Sequence, residues 1–505
     1  MWLPHIVQRN RLIRPNALAL ADANRQLTWS QLDDRTDGMA AALADLGVSA
    51  GDRLLILSGN RSEVIEMYFA ISKAGAVPCP VNPNMPLPEI EYIASNLKPV
   101  GVFAERSVLD RLGERVDGWK IAVGEERYER MAEQAGRSFE LPAQSDAAII
   151  FSTAATTGRP KAVVVAHRSI MACHVGMAAE TGMSPRDVML NPCPLFHGST
   201  VIGLALLAAG GQLVIERDFT PQRFLSDVAR FKPTQAFLVP SMIRFVLAAK
   251  AFDETDLSSL REVMHGGGPM TEELLLEAMA RFPCRFRSVY GITEGGGPIA
   301  LLASDEPQPT STRHLSNPPL PAGRMMLGAH IAVLDDAGNS VQAGNIGEIC
   351  VRGDGVMERY WDNDEATQKA IGGGWLHTGD LGYMDEGGYI FLLDRKNDLI
   401  IRGGQNVYPA EIERVIRMQA GVSDVAAVGV PSPEWGEVPV VFVVPKDAER
   451  PNPLALIASC TGELASYKRP VAVHVVDEIP RNAAGKILRR VLREQLAAKV
   501  AASSQ

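Results

Sequence analysis

The sequence predicts an α/β protein: a large N-terminal region of parallel βαβ subdomains ending in a small barrel-like unit, then a small α+β C-terminal domain. Three observations predict it. Strand-like apolar runs alternate with helical patterns through most of the chain, and that alternation implies a largely parallel sheet with helices on its faces. From Gly347 the texture changes to short strands punctuated by Gly and Asp turns, GEICVRG and GGYIFLLD, which read as antiparallel or barrel-like. After DRKND at 394–398 a compact set of two helices and three strands forms a unit of its own.

Taken in order, RLLILS at 53–58 reads as a strand, 63–74 as a helix, AVPCPVN at 76–82 as a strand and 88–96 as a helix. The polar stretch 133–146, with Pro142 inside it, reads as a connection before the apolar strand AAIIF at 147–151, which opens a second βαβ series running to about residue 320. The most apolar stretch, 201–215, is broken by glycines and shorter than the roughly 20 residues a bilayer crossing takes. It reads as a buried helix and strand. In the last unit a helix is expected at 409–418, strands at 425–430 and 438–445, a helix at 453–466 and a strand at 471–476.

At 505 residues the chain exceeds a single small module. With 46% hydrophobic and 22% charged residues it can bury a large core, which excludes disordered and collagen-like classes. Fifty Lys and Arg against 59 Asp and Glu leave a net charge of −9. That balance repels nucleic acid and anionic lipid, so no nucleic-acid partner and no integral membrane association are expected. The six cysteines are scattered singly without a CxxC pair, as in the reduced thiols of a cytoplasmic protein. The N-terminal residues lack the apolar run of a secretory signal.

Several strings carry chemistry. Residues 152–162, STAATTGRPKA, follow the strand at 147–151, precede a helical pattern, and supply consecutive hydroxyls, a Gly and a Lys fixed by Pro160, the donors a polyphosphate needs. A Walker A motif is absent. YGITE at 290–294 combines a stacking ring, a Gly turn, a hydroxyl and a carboxylate suited to Mg²⁺. WLHTGD at 375–380 ends in an Asp suited to accept two ribose hydroxyls, and PRNAAGKIL at 480–488 presents Lys486 on a Gly-led loop. Each string alone reads equally well as a surface turn. Their co-occurrence in this order is the specific signal.

With LTWSQL at 28–33, GDRLLILSGN and KAGAVPCPVNP added, the chain resembles the adenylate-forming superfamily of acyl-CoA and aryl-CoA synthetases, adenylation domains and luciferases, and most of all an acyl-CoA synthetase. The resemblance spans nearly the whole chain. It implies an AMP-binding and acyl-binding domain at 1–396, a mobile C-terminal domain at 397–505 and an active site in the cleft between them. It also implies ATP, Mg²⁺ and coenzyme A as ligands, a cytoplasmic location, and is compatible with a homodimer. By position, Thr153, Thr156, Thr157, Gly158 and Lys161 correspond to the polyphosphate loop. Gly267, Gly268 and Pro269 correspond to the segment on one face of adenine, with Tyr290 on the other. Thr293 corresponds to a phosphate contact, Glu294 to the Mg²⁺ ligand, and Asp380 and Arg395 to the ribose ligands. Asn397 stands at the hinge, Gly403 and Gly404 at the pantetheine tunnel, and Lys486 at the catalytic lysine of adenylation. Phe196 and His197 match the aromatic-His pair beside the acyl carbonyl. Two departures stand out: Ala154, Ala155 and Ala162 replace a Ser and two glycines of the usual loop, and Asn397 is neutral where Asp or Lys is usual.

Competing readings rest on less. HGGG at 265–268 is an oxyanion-loop string of some lipases, but no GxSxG elbow accompanies it. Gly295, Gly297 and Ala300 match GxGxxA without the acidic partner of a dinucleotide site. Within the superfamily the alternatives are transfer to a carrier protein and a non-catalytic nucleotide-binding relative. The expected acyl walls, 196–201, 239–242 and 295–298, are apolar and offer no Arg for a second carboxylate. Three consecutive glycines at 295–297 read as space for substrate. These walls favour a medium-chain fatty or aryl monocarboxylate over acetate or malonate.

Overall fold

The computed structural model describes residues 2–134, 147–153, 160–268, 270–306, 319–446, 450–481 and 487–503. The expected α/β class holds. Arg53–Leu57, Val77–Pro80, Gly101–Ala104 and Trp119–Ala122 form an all-parallel four-stranded sheet. The helix Ser62–Lys73 beside it is buried along its whole length. That includes Lys73, whose ammonium is matched by Asp33 at 2.6 Å and Asp37 at 2.5 Å, because a charge leaves water only when paired.

The second sheet has nine strands, parallel from Leu18–Ala21 through Gln212–Ile215, Val188–Asn191, Gln235–Leu238 and Glu262–Gly266 to Arg285–Ile292, with antiparallel edges. The chain leaves Val188–Asn191 toward one side, to Gln212–Ile215, and then returns to its other side with Gln235–Leu238. That reversal opens a crevice at the carboxyl ends of the strands, the place where such sheets bind ligands. The stretch 201–215 resolves as the buried helix Ser199–Ala209 and the strand Gln212–Ile215.

Two expectations need correction. Ala147–Ser152 does not open a parallel series. It pairs antiparallel with Ala162–Ala166, so the Thr- and Lys-bearing segment joins two strands of a hairpin rather than a strand and a helix. The helix expected at 453–466 stops at Ser459, since Gly462 adopts a positive φ of 95° and the chain turns back through a bridge between Thr461 and Leu464. Most of the connection at 133–146 lies outside the described residues.

The barrel-like unit is a five-stranded antiparallel sheet whose long strand Trp375–Met384 pairs with both Gly347–Gly353 and Ile390–Arg395. Beyond it the C-terminal sheet is built on Val422–Ser432 and Gly436–Pro445. Alternate residues of the first strand enter two different cores, Val425 and Ala427 facing Ile412 and Val415, Ala426 and Val428 facing Leu492 and Leu496. This is the period of two that a strand covered on both faces requires.

Candidate active site

A cleft of about 2430 Å³ opens at the carboxyl ends of the nine-stranded sheet and is closed on its far side by the barrel-like and C-terminal units. Most of the residues singled out in the sequence line it.

At one end stands a ladder of polar groups. Asp380 and Arg395 face each other across the antiparallel pairing of Trp375–Met384 with Ile390–Arg395, and Arg395 Nε lies 2.7 Å from Asp380 Oδ1. Tyr290, at the end of its own strand, donates its hydroxyl to Asp380 Oδ2 at 2.7 Å. Burial, and then the facing Asp380 charge, push the Tyr290 phenol well above its usual range, so it stays a donor. Thr378 Oγ1 accepts from the Asp380 backbone N–H at 3.0 Å and donates to the Ile349 carbonyl at 2.6 Å, fixing the turn of the carboxylate.

At the other end Glu294 sits on the single 3-10 turn Thr293–Gly295. Its Oε1 accepts the Tyr360 hydroxyl at 2.9 Å, and no second hydrogen bond to this carboxylate is found among the described residues. The Tyr360 ring carries Lys161 Nζ 4.7 Å above its centre, a cation–π contact. Lys161 and Glu294 are thus joined through one phenol. Sequence reasoning missed Tyr360, because only the pairing of Arg359–Tyr360 with Val163–Val164 brings it to the site. The base of the phosphate-loop hairpin is closed by Thr153 N–H donating to the Lys161 carbonyl at 2.9 Å. Thr156, Thr157 and Gly158, with Ala154 and Ala155, lie outside the described residues, as do Pro269 and Lys486. The flanks of Lys486 are placed: Arg481 and Ile487 form a β-bridge, and both line the cleft.

Between the two ends, Gly266 ends its strand where a Cβ would stand 2.3 Å from the Val289 carbonyl oxygen, and Gly267 has φ of 76°. No side chain separates the backbone here from a flat ligand. His265 before them is buried, and burial pulls it down to about 4, so HGGG opens on a neutral core imidazole. The half-buried His197 lines the cleft, edge-on to Phe196 at 4.7 Å, whereas Phe196 itself packs into the protein. Gly295 and Gly296 do not make acyl space: a Cβ on Gly296 would meet the Gly355 carbonyl oxygen at 2.0 Å, and Gly297, which does reach the cleft, packs against Val201 and Cys173. Nor do they form a dinucleotide turn, since the chain continues into the antiparallel strand Gly297–Ala303 rather than a helix.

Asn397, exposed, sits in the turn Lys396–Asp398 where the chain passes from one unit to the next. Its neighbours hold opposite sides: Lys396 Nζ reaches Asp336 at 2.9 Å, while Asp398 pairs with Arg493 at 3.2 Å and Arg489 at 3.6 Å. Gly403 and Gly404, at φ of 57° and 80°, form the two-residue turn of a hairpin packed on Trp435, away from the cleft.

Residues 7–361 match the family described as AMP-binding enzyme, and 411–486 match the AMP-binding enzyme C-terminal domain. The chain belongs to the AMP-binding enzyme family. Among its curated relatives are a fatty acid–acyl-carrier-protein ligase, ScoC, of Streptomyces coeruleorubidus, 32% identical over 95% of this chain and 94% of the relative, and a 2-succinylbenzoate–CoA ligase of Geobacillus kaustophilus, 33% identical over 97% of each. An o-succinylbenzoate coenzyme A synthetase of Bacillus subtilis, solved with ATP and a magnesium ion, superposes with a TM-score of 0.85 at 28% identity, covering 96% of this chain and 98% of that one. As an AMP-binding enzyme of the acyl-CoA synthetase type, the protein is an ATP-dependent, AMP-forming acid–thiol ligase whose ligands are ATP, Mg²⁺, a carboxylic acid and coenzyme A. Glu294 fits the cation: it is a carboxylate at the cleft with an oxygen left over, and Mg²⁺ takes oxygen ligands.

Proposed function

We propose that this enzyme activates an apolar monocarboxylate, a medium-chain fatty acid or an aryl acid, and transfers it to coenzyme A. The observation that carries the substrate class is the cleft wall beside His197, formed by Cys193, Ile202, Phe237, Val239 and Met242. Segments 193–202, 237–242 and 295–298 contain no Lys or Arg, so a second carboxylate would be buried without a partner. Each methylene laid on that wall contributes about 0.8 kcal/mol.

In the first half-reaction the substrate carboxylate oxygen attacks the α-phosphorus of ATP in line. The bond to the bridging oxygen breaks and pyrophosphate leaves. Nucleophile and phosphate are both anionic, so the protein's task is orientation and charge neutralisation. Asp380 and Arg395 hold the ribose, Gly267 and Gly268 with Pro269 lie on one face of adenine and Tyr290 on the other. Thr293 and the hairpin bearing Thr153, Thr156, Thr157, Gly158 and Lys161 take the phosphates, and Lys486 bridges carboxylate and α-phosphate. Glu294 would hold Mg²⁺, which would supply positive charge to the leaving oxygens. In the second half-reaction the unit from 397 onward turns about Asn397 and carries Gly403 and Gly404 to the cleft. The CoA sulfur then attacks the acyl carbon beside His197, loses its proton, and AMP departs. The separate C-terminal core supports a boundary at 396/397, and the placement of Arg481 and Ile487 at the cleft with Gly403 and Gly404 away from it fits the first half-reaction. The six unpaired cysteines, five of them buried, support a cytoplasmic enzyme.

The test is AMP release with acetate, octanoate, benzoate and malonate. Octanoate or benzoate should exceed acetate in kcat/KM by at least about 100-fold, as several methylenes at the stated increment require. A preference for acetate or malonate would overturn the pocket reading, turnover that needs a carrier protein in place of CoA would reassign the acceptor, and no pyrophosphate exchange with any acid would support a non-catalytic relative.

A further inference from the structure

One side-chain cluster of the cleft wall takes no part in the chemistry above: Glu348, Cys350 and His377. Among the described residues it is the one group of three potential metal-binding side chains whose donor atoms converge, all within 4.8 Å of one another. Strand geometry puts them together. Glu348 and Cys350 are two apart on Gly347–Gly353, the register with Trp375–Met384 shifts between them, and Cys350 lies directly opposite His377. Cys350 Sγ is 3.4 Å from His377 Nδ1, and Glu348 Oε2 is 3.2 Å from the same nitrogen. A single ring nitrogen carries either one proton or one lone pair, so a hydrogen bond satisfies one of these neighbours and not both. A small cation satisfies both at once. With metal–ligand bonds of about 2.0–2.3 Å, adjacent donors of a tetrahedral shell stand about 3.3–3.6 Å apart, close to the 3.4 and 3.2 Å found at His377 Nδ1, with the third pair of donors within 4.8 Å.

We propose that Glu348, Cys350 and His377 form a Zn²⁺ site, with the fourth tetrahedral position facing the cleft. A thiolate, an imidazole and a carboxylate suit zinc and are foreign to Mg²⁺, which asks for oxygen alone; the site is therefore distinct from Glu294. Glu348 and His377 both line the cleft, which gives the ion a route in. Binding replaces the Cys350 S–H bond by a sulfur–metal bond and releases the proton to solvent. It also takes Glu348 Oε2 from the Lys396 ammonium, now 3.2 Å away, leaving Lys396 with Asp336 at 2.9 Å. Glu348 Oε1 keeps the Gly379 N–H at 3.0 Å, which holds the carboxylate's orientation. Since Lys396 immediately precedes Asn397, occupancy of this site reaches the turn between the two units.

The experiment titrates the full-length, metal-free protein with Co²⁺ as a coloured stand-in for Zn²⁺, in the presence of Mg²⁺. One equivalent should produce the intense visible bands of a tetrahedral ion and a sulfur-to-cobalt charge-transfer band, both abolished by one equivalent of Zn²⁺. Cys350→Ser should remove the charge-transfer band, and His377→Asn should weaken Zn²⁺ binding by more than the roughly 10–100-fold that loss of an outer-shell partner costs. Cys350→Ala, matched by far-ultraviolet circular dichroism and melting temperature, serves if the serine variant does not fold. X-ray absorption of the zinc-loaded wild type gives a readout free of substitution, expected at one sulfur among four light-atom neighbours. A weak octahedral spectrum, a zinc shell without sulfur, or a charge-transfer band that survives both Cys350 variants would overturn the proposal.

Discussion

The two walls of the cleft are built differently. On the large unit, Tyr290, Asp380 and Arg395 project from hydrogen-bonded strands and hold one another at 2.7 Å. On the small unit, the helix that follows Lys486 is tied to the turn 396–398 by ion pairs of Asp398 with Arg489 and Arg493, and across the boundary the Asp394 carboxylate accepts the Ala410 N–H at 3.0 Å. The backbone that carries the first arrangement is held by sheet pairing. The second is held across the boundary by side-chain contacts rather than by sheet pairing. On the proposed reading the difference assigns binding to the sheet wall and chemistry to the wall that turns.

The largest effect should come from Lys486→Ala. If the moving wall carries chemistry alone, formation of the adenylate falls by at least about 10²–10³-fold, the scale for removing one group that stabilises transition-state charge. ATP binding and CoA transfer from a pre-made adenylate should persist. Equal loss in both half-reactions, read by pyrophosphate exchange against thioester formation, would break the comparison. Asp380→Ala should do the reverse, raising the KM for ATP about 10–100-fold through lost charged hydrogen bonds of about 1.5–3 kcal/mol. It should also lower the melting temperature, since Tyr290 and Arg395 lose a common partner. A fall in kcat with KM unchanged would move Asp380 from holding the nucleotide to catalysis.

The smallest effect concerns the joint between the walls. Burial, with Glu413 nearby, raises the Asp394 carboxyl to about 6 despite the Arg489 charge that opposes it. A carboxyl whose folded value lies above its ordinary 3.8 is favoured protonated in the fold. Its contribution to stability is present below about pH 4 and is lost as pH rises through about 6. Asp394→Asn keeps an acceptor for Ala410 and removes the titration. Its melting temperature relative to wild type should rise between pH 4.5 and 7.5. A difference flat with pH would mean that Asp394 is not desolvated at the joint.

The pairing of Asp380 with Arg395 was legible in the sequence because WLHTGD and DRKND are each continuous strings, and antiparallel pairing with one short connection brings the two residues opposite each other. The α/β class was legible for the same reason: alternating apolar runs are local. Tyr360 was not, since it reaches Glu294 across 66 residues through a two-residue strand with no periodicity to announce it. The phosphate loop was placed before a helix because five apolar residues, Ala162–Ala166, give no period by which to tell strand from helix. Gly295–Gly297 were misread because a missing side chain looks the same in sequence whether it leaves room for a ligand or for the neighbouring backbone at Gly355.

Arg395, which grips Asp380, is the last residue of its strand, and Asn397 follows two positions later. The proposed nucleotide clasp and the proposed swivel therefore lie on one ribbon with almost no slack between them. In the proposed turn of the small unit about Asn397, the first side chain to be tugged is the guanidinium paired with the Asp380 carboxylate. On the proposed cycle such a leash would time the reaction by itself: the swing that presents the thiol would also pull on the Arg395–Asp380 pair, gearing delivery and discharge to a single motion.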